Sequence, residues 1–309
     1  MPRAAAPDRR APPAGAVRAP VRTPVRPAVR PPRWRRRQHR VAAVAAGFLL
    51  VVGMAALLAP WVAPHPPTRQ QIARRLLPPA WAGGRPEHVL GTDQLGRDIA
   101  SRIVYGARVS LAVAVVAVGL AAGTGVTLGL TAGYYGGRWE RVLTRLADVQ
   151  LAFPLTLLVI TLIAILGPGL GNVVLAMALG GWATYFRMTR AQVLAVREAE
   201  YVVAARCLGV PDVRIAFRHI LPNALSPLVV LASFSVAQVI ILESALSFLG
   251  LGVQPPVPTW GAMLADSRDY LAVAWWLAAF PGLALMLTVL AINVLGDWLR
   301  DLLDPRLVV

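Results

Sequence analysis

Apolar residues along the chain gather into six stretches, at about 41–63, 109–132, 147–166, 172–188, 228–249 and 274–295, with polar residues between them. A helix needs roughly 20 such residues to cross a bilayer, and a spanning segment must satisfy its own backbone. The pattern therefore predicts an all-α, polytopic membrane protein with six transmembrane helices. Prolines punctuate it. Pro60, Pro64, Pro66 and Pro67 end the first stretch, while Pro154 and Pro281 predict kinks in the third and sixth. Gly167-Pro168-Gly169 forms an uncharged turn, and YYGGRWERVLTR, with Arg138, Arg141 and Arg145, reads as a short loop.

The longest polar interruption, 197–227, has its own grammar. Tyr201, Ala205 and Leu208 share one helical face. Gly209 then supplies a left-handed stop, and Pro211-Asp212 suits the first turn of a second short helix that reaches Leu221 and Pro222. A helix, a sharp corner and a second helix are expected.

Composition changes the picture in two ways. Of 309 residues, 57% are hydrophobic and 15% charged, and the mean hydropathy of +0.59 exceeds that of an ordinary soluble domain. All 31 basic residues are arginine, so no G-x-x-x-x-G-K-[ST] phosphate loop exists in this chain, and any ATP that drives it is bound elsewhere. The net charge of +16 is concentrated in residues 1–40, which hold 12 arginines against the single acid Asp8. That Pro- and Arg-rich segment is too poor in apolar residues to fold and is predicted to be a disordered cytoplasmic tail. It is either a solvated arm that sets orientation or a polybasic arm for anionic lipid or nucleic acid. The run of 41–63 is too long for a signal-peptide core and reads as a retained anchor. With six spans, 23 arginines fall on the side of the termini and 8 on the other. The positive-inside rule then puts both termini, including 301–309, and the 197–227 loop in the cytoplasm.

Other candidates are weaker alone. In the external loop 64–108, Asp93/Arg97 and Asp98/Arg102 are spaced for ion pairs on a short surface helix. Gly119/Gly123 and Gly125, Gly129 and Gly133 allow close helix approach, within the bundle or against a second subunit. Glu243 is the acid placed well inside a span, facing the translocation path or pairing with an arginine near the external end. Pro255, Pro256 and Pro258 with Trp260 and Trp276 suggest a rigid external connection with interfacial anchors. Cys207 is the only cysteine, and His39, His65, His88 and His219 are scattered in sequence. Neither set has a metal-binding spacing, so no metal or cofactor is expected on this chain.

The 197–227 stretch also carries a resemblance. Binding-protein-dependent ABC-importer permeases have an "EAA" loop of the form Glu-Ala-Ala, three residues, Gly, nine residues, Ile-x-Leu-Pro. Ala204, Ala205, Gly209, Leu221 and Pro222 match it in register, with Val203 in place of the Glu and His219 in place of the Ile. EYVVAARCLG, FRHILPN, GTDQLGRD and ESALSFLGLG resemble the C-type subunit of dipeptide, oligopeptide and nickel importers, from about 41 to 307. The resemblance implies a type I ABC-importer permease fold with a five-helix core at 109–300. It also implies a non-enzymatic role, with ATP and magnesium held by two partner ATPases, a second permease subunit beside the chain and a solute-binding protein outside. Glu200, Ala204, Ala205, Arg206, Gly209, Leu221 and Pro222 become the ATPase-coupling residues, and Asp93, Arg97 and Asp98 external docking candidates. Membrane lipid is an expected partner and nucleic acid is not. The alternative is a secondary transporter or channel acting alone, for which the sequence offers neither an internal repeat nor further intramembrane ionisable groups.

Overall fold

The computed structural model describes residues 33–303, and among them no strand occurs. The tail expected to be disordered lies outside the described residues up to 32. From Arg33 the chain is already helical, because the first helix, α1 (Arg33–Leu57), extends back from the apolar run with no proline to stop it. A short α2 (Ala59–Val62) follows, with Pro60 in its first turn, where a missing N–H breaks no hydrogen bond.

After an irregular segment, α3 (Ile99–Tyr135) runs for 37 residues. It starts well before the expected position near 109 because Asp98 caps it, accepting from the Ser101 amide at 2.8 Å and the Ser101 hydroxyl at 2.7 Å. The external loop therefore ends at 98. The expected loop over 134–145 is also corrected. After the turn at Gly136 it forms α4 (Gly137–Leu151), which buries Leu143 and Ala147 and leaves Trp139, Val142 and Leu146 exposed on an adjacent face. Leucine, valine and alanine at helical spacing outweigh the arginines of its outer face. Then α5 (Leu155–Leu166) starts behind Pro154, bent by 93° from α4. Pro154 therefore breaks the third span and does not merely kink it.

The next helix, α6 (Leu170–Val196), lies parallel to α3. Val113 and Ala117 pack with Val173 and Met177 near one end, and Leu130 and Tyr134 with Val193 near the other. Gly125, Gly129 and Gly133 form the seam; a methyl on Gly129 would lie 2.7 Å from the Phe186 carbonyl oxygen. Glycine at every fourth position lets the two backbones touch, and close packing drives helix association in lipid. Gly119 and Gly123, by contrast, face open space.

Parallel neighbours require a return crossing. The α4–α5 pair provides it, running antiparallel along α6: Glu140 meets Arg190, Gln150 meets the carbonyls of Leu179 and Gly180, and Ile163 packs in the cluster with Val173. Among the described residues four helices qualify as spans by length and apolarity, and the bent α4–α5 pair counts as a fifth. α6, more polar in sequence, lies along α3 through its length, an arrangement consistent with the six spans expected.

The organising stretch yields α7 (Glu200–Cys207), a corner at Gly209, one turn of α8 (Asp212–Arg214) and a π-helical segment, Ile215–Ile220. This merges directly into α9 (Leu221–Phe248). The second short helix of the expected pair is thus the beginning of the fifth span, not a separate element. The wide π turn lies immediately ahead of Pro222, which cannot donate to the turn before it. At the opposite end, α10 (Trp260–Ser267) wedges between α9 and the last helix, α11 (Trp276–Leu303). Trp260 is 1% exposed and donates to the Ile103 carbonyl at 3.0 Å, and Trp276 is 7% exposed. Neither is the interfacial anchor that its sequence position suggested.

Candidate functional site

The end of the bundle that carries α7 and the Gly209 corner has the most distinctive geometry. α7 closes with two reverse hydrogen bonds, Gly209 N–H to the Arg206 carbonyl at 3.0 Å and Val210 N–H to the Ala205 carbonyl at 3.2 Å. Gly209 has φ +73°, the left-handed conformation this closure demands. Val210 turns back onto the buried cluster of Val202, Ala205, Ile215 and Ile220. The corner and the end of α6 are then fixed to the last turn of α3. The Tyr134 hydroxyl at the end of α3 donates to Asp212 at 2.6 Å, the Arg206 guanidinium lies 5.7 Å over the Tyr134 ring, and Arg197 donates to the Gly133 carbonyl at 3.0 Å. Arg190 and Glu140 tie α6 to α4 beside it.

The predicted coupling residues divide across this hairpin. Ala205 is buried and Leu221 half-buried, in the seam with the spans, whereas Glu200, Ala204, Arg206, Gly209 and Pro222 are exposed. The outer surface is apolar for a solvent-facing corner: Leu208 is 83% exposed, and Val213, Phe217 and Tyr201 are exposed beside it. Together they form a protruding apolar patch at a helix corner, with Arg206 and Glu200 next to it.

Glu243 is fully enclosed, accepting from Ser247 Oγ at 2.8 Å and Ser110 Oγ at 3.3 Å. Among the described residues it forms no ion pair with an arginine, and it lies outside the lining of the cavity of about 130 Å³ between α3, α4–α5, α6 and α9. Sequence reading missed the polar lining of that cavity, which contains Gln150, Thr184, Tyr185, Ser235 and Gln238 among apolar neighbours. The available signal was uncharged polar residues inside otherwise apolar stretches, a weaker mark than the single acid.

At the far end, the charges expected on a surface helix are buried. Asp93, Arg97, Asp98 and Arg102 are all less than 10% exposed. Asp93 holds Arg97 at 2.6 Å and also Arg102, and Asp266 of α10 approaches both, at 3.1 and 3.3 Å. Arg102 thus pairs with Asp93 and Asp266, not with Asp98. Residues 91–98 form a tight turn rather than a helix, so the partners come from opposite sides of it. Asp93, Arg97 and Asp98, expected on a surface helix, are instead part of the internal fastening of the loop.

This architecture matches known proteins. Residues 125–309 fit the family model described as the binding-protein-dependent transport system inner membrane component, and 33–79 fit the N-terminal TM domain of oligopeptide transport permease C. The chain belongs to the binding-protein-dependent transport permeases. Within this family it is 46% identical over 276 residues to the di/tripeptide transport system permease protein DppC of Pseudomonas aeruginosa, covering 89% of this chain and 91% of that one. It is 43% identical to the dipeptide transport system permease of Haemophilus influenzae, over 88% of this chain and 92% of that one. With the Escherichia coli K12 dipeptide permease it shares 46% identity, covering 88% and 91%. The fold is also that of a chain in the inward-facing MetNI methionine ABC transporter, with a TM-score of 0.53 at 19% identity, covering 66% of this permease and 96% of that chain. The permease is therefore an all-α, multi-pass membrane component of a transport system.

Proposed function

We propose that this permease forms half of the translocation path of an ATP-driven importer for di- or tripeptides and takes its power stroke through the α7–Gly209 corner. The observation that carries the reading is the exposed apolar corner, made of Leu208, Val213 and Phe217 and locked to α3 and α6 through Tyr134, Asp212, Arg206 and Arg197. A knob of this shape fits a groove on a soluble protein, and its fastenings pass the load to the spans. The peptide class rests on the relatives' named substrates.

The assembly comprises this chain, a second permease subunit, two ATPase subunits on the cytoplasmic side and a solute-binding protein outside. The termini and the corner lie in the cytoplasm, supported by the arginine distribution. Catalysis of ATP hydrolysis, with its magnesium, belongs to the ATPase chains, since this chain has no lysine for a phosphate loop. The mainly apolar cavity that presents Gln150 and Gln238 is the part of the path this subunit contributes.

The test is uptake of a radiolabelled dipeptide by proteoliposomes containing the complete complex, with ATP enclosed on the corner side. ATP-dependent uptake competed by other di- and tripeptides is expected. Uptake by this chain alone, without an ATPase, would overturn the reading in favour of a self-sufficient transporter.

A further inference from the structure

We infer that His65, His88 and Asp98 form a binding site for a divalent transition-metal cation of the zinc class. The site lies at the end of the bundle opposite the coupling corner, and the inference stands independently of the transport reading. The residues are far apart in sequence, but the fold stacks the two imidazoles with centroids 4.8 Å apart beside the carboxylate that caps α3. One ligand atom from each residue falls within 4.8 Å of the other two.

The hydrogen bonding leaves this cluster incomplete. Asp98 Oδ2 is occupied by the Ser101 amide and hydroxyl, which orient the carboxylate and turn Oδ1 toward the rings. His88 Nδ1 is 2.9 Å from Oδ1, and His65 Nδ1 is 4.0 Å away, beyond hydrogen-bond reach. Two imidazole nitrogens, His65 Nδ1 and His88 Nε2, are buried with no partner in the chain. His88 itself is 1% exposed. Buried polar atoms without partners are uncommon and unfavourable; His65 Nδ1 is one in need of a partner, 4.0 Å from the oriented carboxylate, whereas His88 reaches that carboxylate through Nδ1 and not through its unpartnered Nε2.

A cation meets that need. In a tetrahedral site with bonds of about 2.0–2.1 Å, ligand atoms lie about 3.3 Å apart. The observed separations from Oδ1, 2.9 and 4.0 Å, straddle this value, so a small inward shift of His65 completes the site. His65 is free to make the shift, since its side chain has no hydrogen bond and its segment, between Pro64 and Pro66, is irregular. Its side chain keeps 24% exposure, which gives solvent ions a way in. Two imidazoles and a carboxylate, with no sulfur, suit zinc, cobalt or nickel better than calcium or magnesium. The Ser101 bonds to Asp98 are the outer-shell support such sites use. Bound there, the ion joins the segment after α2 to the first turn of α3, adding to the His65 amide bond to Ser101 Oγ at 3.0 Å.

The experiment uses the full chain, purified without a histidine tag, reconstituted in nanodiscs, stripped with chelator and titrated with Co2+ and Zn2+. The expected result is one Co2+ per chain with the visible absorption of a four- or five-coordinate ion. Affinity should drop by more than about tenfold in His65→Ala and in His88→Ala. His219→Ala, at the other end of the molecule, should bind as the parent does. Zn2+ should raise the unfolding temperature of the parent and leave that of His65→Ala unchanged. His65→Ala removes no existing side-chain hydrogen bond, so it keeps the test decisive even where His88→Ala fails to fold. Equal Co2+ binding by the parent and His65→Ala, or no stoichiometric binding by the parent, would overturn the inference.

Discussion

Gly209 carries more consequence than its lack of side chain suggests. A methyl there would touch nothing within 4 Å, so any substitution acts through the backbone alone, at φ +73°. A β-branched residue in that conformation costs about 1–2 kcal/mol, enough to re-aim the corner but not to unfold six spans. Gly209→Val is expected to leave the subunit inserted while dipeptide uptake falls and ATP hydrolysis continues. Gly209→Asn, which tolerates the left-handed region, should recover most of the uptake. Full uptake by the valine variant would remove the corner from the mechanism. Glu243 calls for the opposite experiment. Enclosed by Ser110 and Ser247, it is expected to tolerate Gln, which can still bond the hydroxyls. Leu, by contrast, should lower the unfolding temperature by leaving both hydroxyls without their acceptor. A changed KM for peptide in Glu243→Gln, with stability intact, would return Glu243 to the path.

Among the elements, the α3–α6 pair is the keel. Gly129→Leu places a branched side chain where even a methyl meets the Phe186 carbonyl, so loss of the folded subunit from membranes is expected; Gly119→Leu, on open space, should be recovered normally. The loop network gives a second prediction. Asp93→Asn leaves Arg97 and Arg102 buried with only the half-exposed Asp266 between them, and breaking a buried pair costs about 3–5 kcal/mol. Its thermal unfolding in nanodiscs should therefore come at clearly lower temperature than that of the parent.

These elements also mark what the sequence made legible. Apolar runs located the long helices, and Gly209 and Pro154 marked real breaks, because period and proline chemistry are local. The continuity of α8 into α9 was hidden by Pro222 and Pro227, which read as stops yet sit in the first turn and interior of a helix whose neighbours hold it. The burial of Arg97 and Arg102 was hidden because their shared partner, Asp266, comes from another element far along the chain. The cavity and the histidine pair were illegible for the same reason: each is assembled from segments that only tertiary packing brings together.

For the whole molecule, orientation is testable with the native chain. Cys207 is its sole thiol, is exposed, and lies in α7 beside the corner. A membrane-impermeant maleimide is expected to label inverted vesicles and not intact spheroplasts, and bound ATPase subunits should shield the thiol. Labelling of spheroplasts would place the corner outside and reverse the topology.

The merger of α8, the π turn and α9 has a mechanical meaning. Asp212–Phe248 is a single helix of 37 residues, about 55 Å long at 1.5 Å per residue. Its first turn is gripped by Tyr134 and its last turns pack on α10, where Ser244 and Ser247 lie against Gly261. It is a lever in one piece. A tilt of about 10° about either end moves the other by roughly 10 Å over such a length, so a modest displacement at the corner becomes a movement as wide as a helix on the opposite face of the membrane. The lever's joints are the π turn and Pro227 in the helix interior, and stiffening or loosening the six residues of the π turn would change how a displacement at the corner is passed along the helix.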